Sequence, residues 1–392
     1  MRRVLLFVAL AACGAPAAHP AMPAAPAIKP ADDIAIAKPT SPSGDAAHDS
    51  TLKDPRVVDL DIIRIRATST GVGGEPELTS VASSDLFRAA TDAAKAGSSQ
   101  DAIGRYRQLV HEFPDSQYAP VSLFNIAALY DKRGEIDQTI AALRELIATY
   151  PQSHESIEGH LYIVALQSDK AQWSDALATL AEVLARPNLT FADRIEAFAR
   201  KGYVLLALDK LDDAEIALQA AVAEWRKAPH IDDPYYIAMA QYYRGEIQHH
   251  RFTYQTLRTG DDDMVADLEK KRTFAVAAYD LWKESLQFRS AYWATASGYQ
   301  MSQIFVELWE AHVKAPYPKH VALEARPTYV AEVHARVKEH LQKALEGHRM
   351  NIELAKAYGV DTEWSRASTT QSLEIQERLA KEASGLYEKP AL

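Results

Sequence analysis

Side chains that could do chemistry are few in this chain, and they are scattered. Cys13 is the only cysteine among 392 residues. One thiol forms no intramolecular disulfide and has no second cysteine with which to hold a metal, which excludes tetrathiolate, zinc-ribbon and Cys-x-x-Cys redox chemistry. It can be a nucleophile, a core residue or a point of covalent modification. In "RGEIQHHRF", Glu246 and His250 are four apart and share a helix face, with His249 beside them. Such residues can contribute to a metal site, but a surface pair is the default expectation. Asp261, Asp262 and Asp263 lack the alternating oxygen ligands and central glycine of a calcium loop. They are expected at a helix N-cap, where carboxylates accept from free N–H groups and favour the dipole. His111, His154 and His160 are expected at the surface or in turns.

No Gly-x-Ser-x-Gly elbow, Walker loop, His-Glu-x-x-His pair or dinucleotide fingerprint occurs. Gly71-Val72-Gly73-Gly74 has no buried strand and helix to frame it, and reads as a flexible loop. The expectation is a protein that is not an enzyme, with no metal and no cofactor. Lys and Arg form no long cluster, and the formal charge is -10, which argues against a nucleic-acid partner.

Arg2 and Arg3 followed by the apolar run Val4 to Ala12 have the shape of a signal peptide. The run is far short of the ~20 residues a membrane-spanning helix needs. Leu10-Ala11-Ala12-Cys13 resembles the lipobox of bacterial lipoproteins. That resemblance implies removal of residues 1–12, lipid attachment at Cys13 and anchoring in a membrane. Gly14 in place of Asp after the cysteine implies sorting to the outer membrane, facing the periplasm. Ala9-Leu10-Ala11 also satisfies the ordinary A-x-A cleavage rule, which would release a soluble protein.

Eight prolines lie between Pro16 and Pro55, and no Phe, Trp or Tyr occurs from Val8 to Leu86. Without large apolar side chains, residues 13–84 cannot offset their ordering entropy, and an extended Pro/Ala-rich tether is expected. One island interrupts it: residues 57–66, "VVDLDIIRIR", are β-branched and partly alternating, as in a strand. The strand could lie on the body or pair with a partner's sheet.

From Asp85 onward the pattern is helical and repeats. Gly97 and Gly134, Ala102 and Thr139, Leu109 and Leu146, and Pro114 and Pro151 are each 37 apart, as are Thr139 and Ala176, while Ala214 follows Ala176 by 38. That period fits two helices and their turns, repeated as a solenoid. Small residues such as Ala90, Ala127 and Gly202 let the helices of a hairpin approach, and Tyr106, Leu143, Leu180 and Leu218 fill the space. Prolines stop the second helices. Units are expected at about 84–114, 116–151, 153–187 and 191–228, covering residues 85–228. Over 229–388 the spacing lengthens, with Gly245 and Gly298 as the small residues, a helix starting near Pro327 and a final capping helix carrying Trp364, Leu373, Ile375 and Leu379.

In the second unit Leu123, Ile126, Ala127, Tyr130, Thr139, Leu143, Leu146 and Pro151 resemble the tetratricopeptide repeat family. The resemblance implies an all-α fold, an α-solenoid of helical hairpins with elongated C-terminal hairpins and a capping helix. It also implies protein binding on the inner face of the first helices. The matching positions are Phe87, Thr91, Phe124, Ala128, Leu161, Ala165 and Tyr203, an apolar set that would suit an apolar segment or another subunit better than a charged C-terminus. The aromatics Tyr235, Tyr236, Tyr242, Tyr243, Trp282, Tyr292, Trp293, Tyr299 and Trp309 serve as core fillers or as a groove. Lipobox, tether and repeats together resemble the tetratricopeptide lipoproteins of the bacterial outer membrane, such as the small lipoprotein subunit of the β-barrel assembly machinery and the periplasmic coordinators of envelope constriction. The expectation is a lipid-anchored envelope scaffold with protein partners; the alternative is a chaperone-like assembly factor for outer-membrane β-barrels.

Overall fold

A computed structural model describes residues 61–68, 77–258 and 260–388. The expected signal peptide 1–12, Cys13 with its lipobox, residues 13–60 of the expected tether and the Gly71-Val72-Gly73-Gly74 loop lie outside the described residues. Among the described residues there are thirteen α-helices and two strands, an all-α repeat fold. They fall into two compact units, 61–172 and 173–388.

In the first unit β1 (Ile63–Thr68) and β2 (Glu77–Ala82) pair antiparallel, with Ile63 opposite Ala82 and Ile65 opposite Ser80. The expected strand at 57–66 is therefore met in part by β1, and residues 57–60 lie outside the described residues. β2 was not foreseen. It runs directly into α1 (Ser83–Lys95), so both strands and the first residues of α1 fall within the segment expected to be tether through residue 84. Side-chain bonds attach the hairpin to the helices. The Asp61 carboxylate accepts from the Ser83 hydroxyl and from the Ser84 N–H at 2.9 Å, and Arg64 donates to the Glu112 carbonyl at 2.7 Å.

After α1 come α2 (Ser99–Glu112), α3 (Tyr118–Lys132), α4 (Ile136–Thr149) and α5 (His154–Asp169). Their core reproduces the sequence period. Ala90 and Ala127 are fully buried on first helices, and Tyr106, Leu109, Leu143 and Leu146 are fully buried on second helices. The period is also written in the backbone. Gly97, Gly134, Ala171 and Asp209 all have positive φ, at +81°, +74°, +53° and +57°. Each occupies a short turn between two consecutive helices, where a left-handed residue ends the first of them. Two of the four are not glycine, which explains why a search for Gly finds only the first two turns.

The second unit contains α6 (Trp173–Leu184), α7 (Phe191–Ala207), α8 (Leu211–Lys227), α9 (Tyr235–Tyr254), α10 (Asp261–Leu286), α11 (Ala291–Val313), α12 (Arg326–Tyr358) and α13 (Glu363–Ala383). α7 with α8, α9 with α10, and α11 with α12 form hairpins, and α13 packs on α11 and α12. Helix starts follow sequence rules. Thr190 and Asp193 form a capping box at α7, Thr362 and Ser365 another at α13, and Pro327 sits in the first turn of α12.

Close approach in each hairpin depends on glycine, and in α11–α12 on Gly347 as well as Gly298. A Cβ on Gly202 would lie 2.3 Å from Leu218, one on Gly245 2.4 Å from Trp282 Nε1, and one on Gly298 2.3 Å from Asn351 Oδ1. The filler changes from leucine to tryptophan where the helices lengthen to 20 and 26 residues. Trp282, Trp293, Trp309, Tyr242 and Tyr243 are buried to within 1%, so core packing accounts for that part of the aromatic enrichment. Ile375 is buried on α13, but Leu373, expected on the same apolar face, is 64% exposed. Two residues along a helix turn the side chain by about 200°, too far to share a face.

Candidate protein-binding face

The seven residues expected to line a binding surface all lie on first helices, α1, α3, α5 and α7, but the structure treats them differently. Leu161, Ala165 and Tyr203 are only 4, 2 and 3% exposed, and Phe87 is buried as well. Phe87 stacks on Tyr118 at 5.1 Å, and Tyr203 packs against Trp173 and Tyr243 at 5.8 and 5.0 Å. In this structure these four side chains are buried rather than open on a groove. α5 buries twelve of its sixteen residues, leaving little side-chain surface for a partner. Thr91, Phe124 and Ala128 remain half-buried. The Thr91 hydroxyl lies 3.0 Å from the Tyr106 hydroxyl, which also accepts from Asn125 at 3.2 Å. Phe124 packs at 6.0 Å from Tyr162, whose hydroxyl donates to Asp131 at 2.7 Å.

A richer surface forms in the second unit, at the N-terminal ends of α9, α11 and α13. Tyr235 is the first residue of α9, Tyr292 the second of α11 and Glu363 the first of α13. Successive first helices bring them together. The Tyr235 and Tyr292 rings are 6.3 Å apart, Trp293 lies 5.6 Å from Tyr235 and 4.9 Å from Tyr292, and the Tyr292 hydroxyl donates to Glu363 at 2.8 Å. Trp293 is 1% exposed, and its Nε1 has no hydrogen-bond partner among the described residues. Tyr235, Tyr236 and Tyr292 are half-buried, so part of each ring meets solvent.

Beside this platform, α7 contributes Arg200 and Glu196. The Arg200 guanidinium is 6% exposed; it donates to Glu196 at 2.8 Å and to the Tyr236 hydroxyl at 2.7 Å, and lies 5.1 Å from the Tyr236 ring centre. Burial holds the Tyr235 phenol well above its usual range; Arg200 opposes this, and the carboxylates of Glu196, Asp233 and Glu363 add to it. The Tyr-Tyr and Tyr-Trp pairs in the first turns of α9 and α11 were visible in the sequence. Their meeting across two helices, and the Arg200 seat, were not.

The histidine motif resolves differently from expectation. His249 and Glu246 form a close pair, and both are buried. His249 Nε2 lies 2.6 Å from Glu307 Oε2 on α11, and Gln300 donates to Glu246 at 3.0 Å. The expected surface pair is therefore a core contact between α9 and α11. Among the described residues no group of three or more His, Cys, Asp and Glu is placed to hold a metal ion. His160, expected at the surface, is also buried, with Nδ1 2.7 Å from the Ser156 carbonyl, while His111 is exposed. Gly260 is the N-cap of α10, and Asp261, Asp262 and Asp263 occupy its first turn without a side-chain capping bond. Asp261 instead accepts from the Lys319 N–H and pairs with His320, both at 2.8 Å, and Asp263 pairs with Arg258. Among the described residues no helix is long and apolar enough to cross a membrane.

Comparison with known proteins finds similarity to tetratricopeptide repeat proteins. The C-terminal part of a tetratricopeptide repeat-containing protein from Cytophaga hutchinsonii is 14% identical, over 76% of this chain and 99% of that one, with a TM-score of 0.40. A tetratricopeptide repeat protein from Parabacteroides merdae is 10% identical, over 74% and 98%, with a TM-score of 0.37. No curated protein matches the chain in sequence. The family model of the tetratricopeptide repeat-like domain matches residues 77–232. That span takes in β2, α1 to α8 and the turns at Gly97, Gly134, Ala171 and Asp209, and it is similar to a tetratricopeptide repeat-like domain.

Proposed function

We propose that this protein is a lipid-anchored scaffold of the bacterial cell envelope, probing no chemistry of its own and binding protein partners through the first-helix surface. The single observation that carries the binding part is the half-buried platform of Tyr235, Tyr236 and Tyr292. Aromatic side chains combine large apolar area with a hydrogen-bonding tip and low conformational cost, which makes them frequent interface anchors. The repeat-like domain supports the same reading, since stacked hairpins build extended binding surfaces. The anchoring part rests on Leu10-Ala11-Ala12-Cys13 and its upstream basic and apolar segments. Acyl chains contribute ~0.8 kcal/mol per buried CH₂, so a multiply acylated Cys13 would bind the membrane stably.

The two parts are tested separately. Radioactive palmitate labels the wild-type chain and not Cys13→Ser, while the circular dichroism of the helical body is unchanged. Persistent label on the serine variant rejects the anchor. Affinity capture after mild crosslinking in intact cells recovers a partner with the wild type and loses it with Tyr235→Ala and Tyr292→Ala combined. Recovery that is indifferent to these residues rejects the binding surface.

A further inference from the structure

We infer that the platform at the N-terminal ends of α9, α11 and α13 selects a partner segment that presents an arginine or lysine side chain flanked by apolar residues. The inference rests on the scaffold reading above and specifies the chemistry of what the scaffold binds. The protein contains its own example of the required arrangement. Arg200 is seated against the Tyr236 ring at 5.1 Å with the Glu196 carboxylate 2.8 Å from its Nε. One first helix further along, the components recur: Tyr235 and Tyr292 supply ring faces, and Glu363, fixed by the Tyr292 hydroxyl at 2.8 Å, supplies the carboxylate. Among the described residues the partner of Glu363 is the Tyr292 hydroxyl, and no lysine, arginine or histidine pairs with it.

Charge points the same way. Glu196, Asp233 and Glu363 all act on the Tyr235 phenol, and Arg200 opposes them. A partner cation would lie over electron-rich ring faces and beside a preoriented carboxylate, the combination that favours cation-π contact over simple surface pairing. An acidic segment would meet like charge and is disfavoured. The apolar flanks are required because Trp293, fully buried beneath both tyrosines, makes the floor of the platform apolar.

The test is selection of a random peptide library, displayed on phage, against the full chain carrying Cys13→Ser. Binders enriched in arginine or lysine beside apolar residues are expected, with affinity falling about fivefold for Tyr292→Ala and for Glu363→Gln and falling further as salt is raised. Glu363 is exposed in the first turn of α13, so its substitution tests charge without threatening the fold; thermal unfolding of both variants checks this. Binders lacking basic residues, binders indifferent to both substitutions, or no binders at all overturn the inference. Neutral binders that are nevertheless lost with Tyr292→Ala overturn the charge selection alone and leave the scaffold reading standing. Failure of the cellular capture overturns the scaffold reading itself.

Discussion

His249 on α9 holds Glu307 on α11 through a contact of 2.6 Å between Nε2 and Oε2. Burial alone would push the imidazole toward the neutral form, but Glu307 and Glu246 outweigh it and raise its pKa to about 10. The folded state therefore holds a proton that the unfolded chain releases near pH 6.5. The contribution is complete below about pH 6.5 and is lost as pH rises toward about 10. Glu307→Gln should lower stability at neutral pH by on the order of 3 kcal/mol and flatten the alkaline decline. Chemical denaturation between pH 6 and 10 measures both; an unchanged decline contradicts the assignment.

His348 has the opposite sign. Burial depresses its pKa to about 4, so the unfolded chain takes up a proton between about pH 6.5 and 4 that the folded chain does not. Stability falls through that window with a limiting slope of about 1.4 kcal/mol per pH unit from this residue. His348→Gln should reduce the acid sensitivity while leaving the alkaline limb intact.

Gly202 and Gly245 admit no Cβ. Alanine at Gly202 would collide with Leu218 and alanine at Gly245 with Trp282. Each substitution should cost about 1–3 kcal/mol through displaced core side chains. Combining Gly202→Ala with Leu218→Ala should recover part of the loss, whereas Gly202→Ala with the more distant Leu180→Ala should not. Thermal unfolding distinguishes the two pairs.

Ala171 has φ of +53° in the turn where the earlier hairpins have Gly97 and Gly134. A Cβ in the left-handed region costs roughly 1–2 kcal/mol, partly offset by the greater unfolded-state freedom of glycine. Ala171→Gly should therefore raise stability by about 0.5–1 kcal/mol. Gly134→Ala should lower it, although no atom lies within 4 Å of the added methyl.

Much of the fold was legible because the core repeats in register: Tyr106, Leu143, Leu180 and Leu218 recur at 37, 37 and 38 residues, and all are fully buried. Gly245 and Gly298 were legible as helix contacts because nothing larger fits there. β2 was not, because "ELTSVA" has little apolar alternation and is held by its partner strand. The binding surface was half legible. Family spacing located first-helix positions such as Leu161 and Tyr203, but spacing does not report how closely neighbouring helices cover them. The Tyr235–Tyr292–Glu363 relation depends on hairpins of unequal length, so no fixed period brings those residues together in the sequence. His249 and Glu307 are 58 residues apart, beyond any local helical rule.

Site-specific photocrosslinking in intact cells tests the central claim most directly. A photoreactive phenylalanine analogue at Tyr235 or Tyr292 should give discrete adducts with a partner protein. The same probe at Ile216 or Val265, exposed on the second helices α8 and α10, should give none. Adducts at the second-helix positions, with none at Tyr235 and Tyr292, would contradict a protein-binding surface built on the first helices.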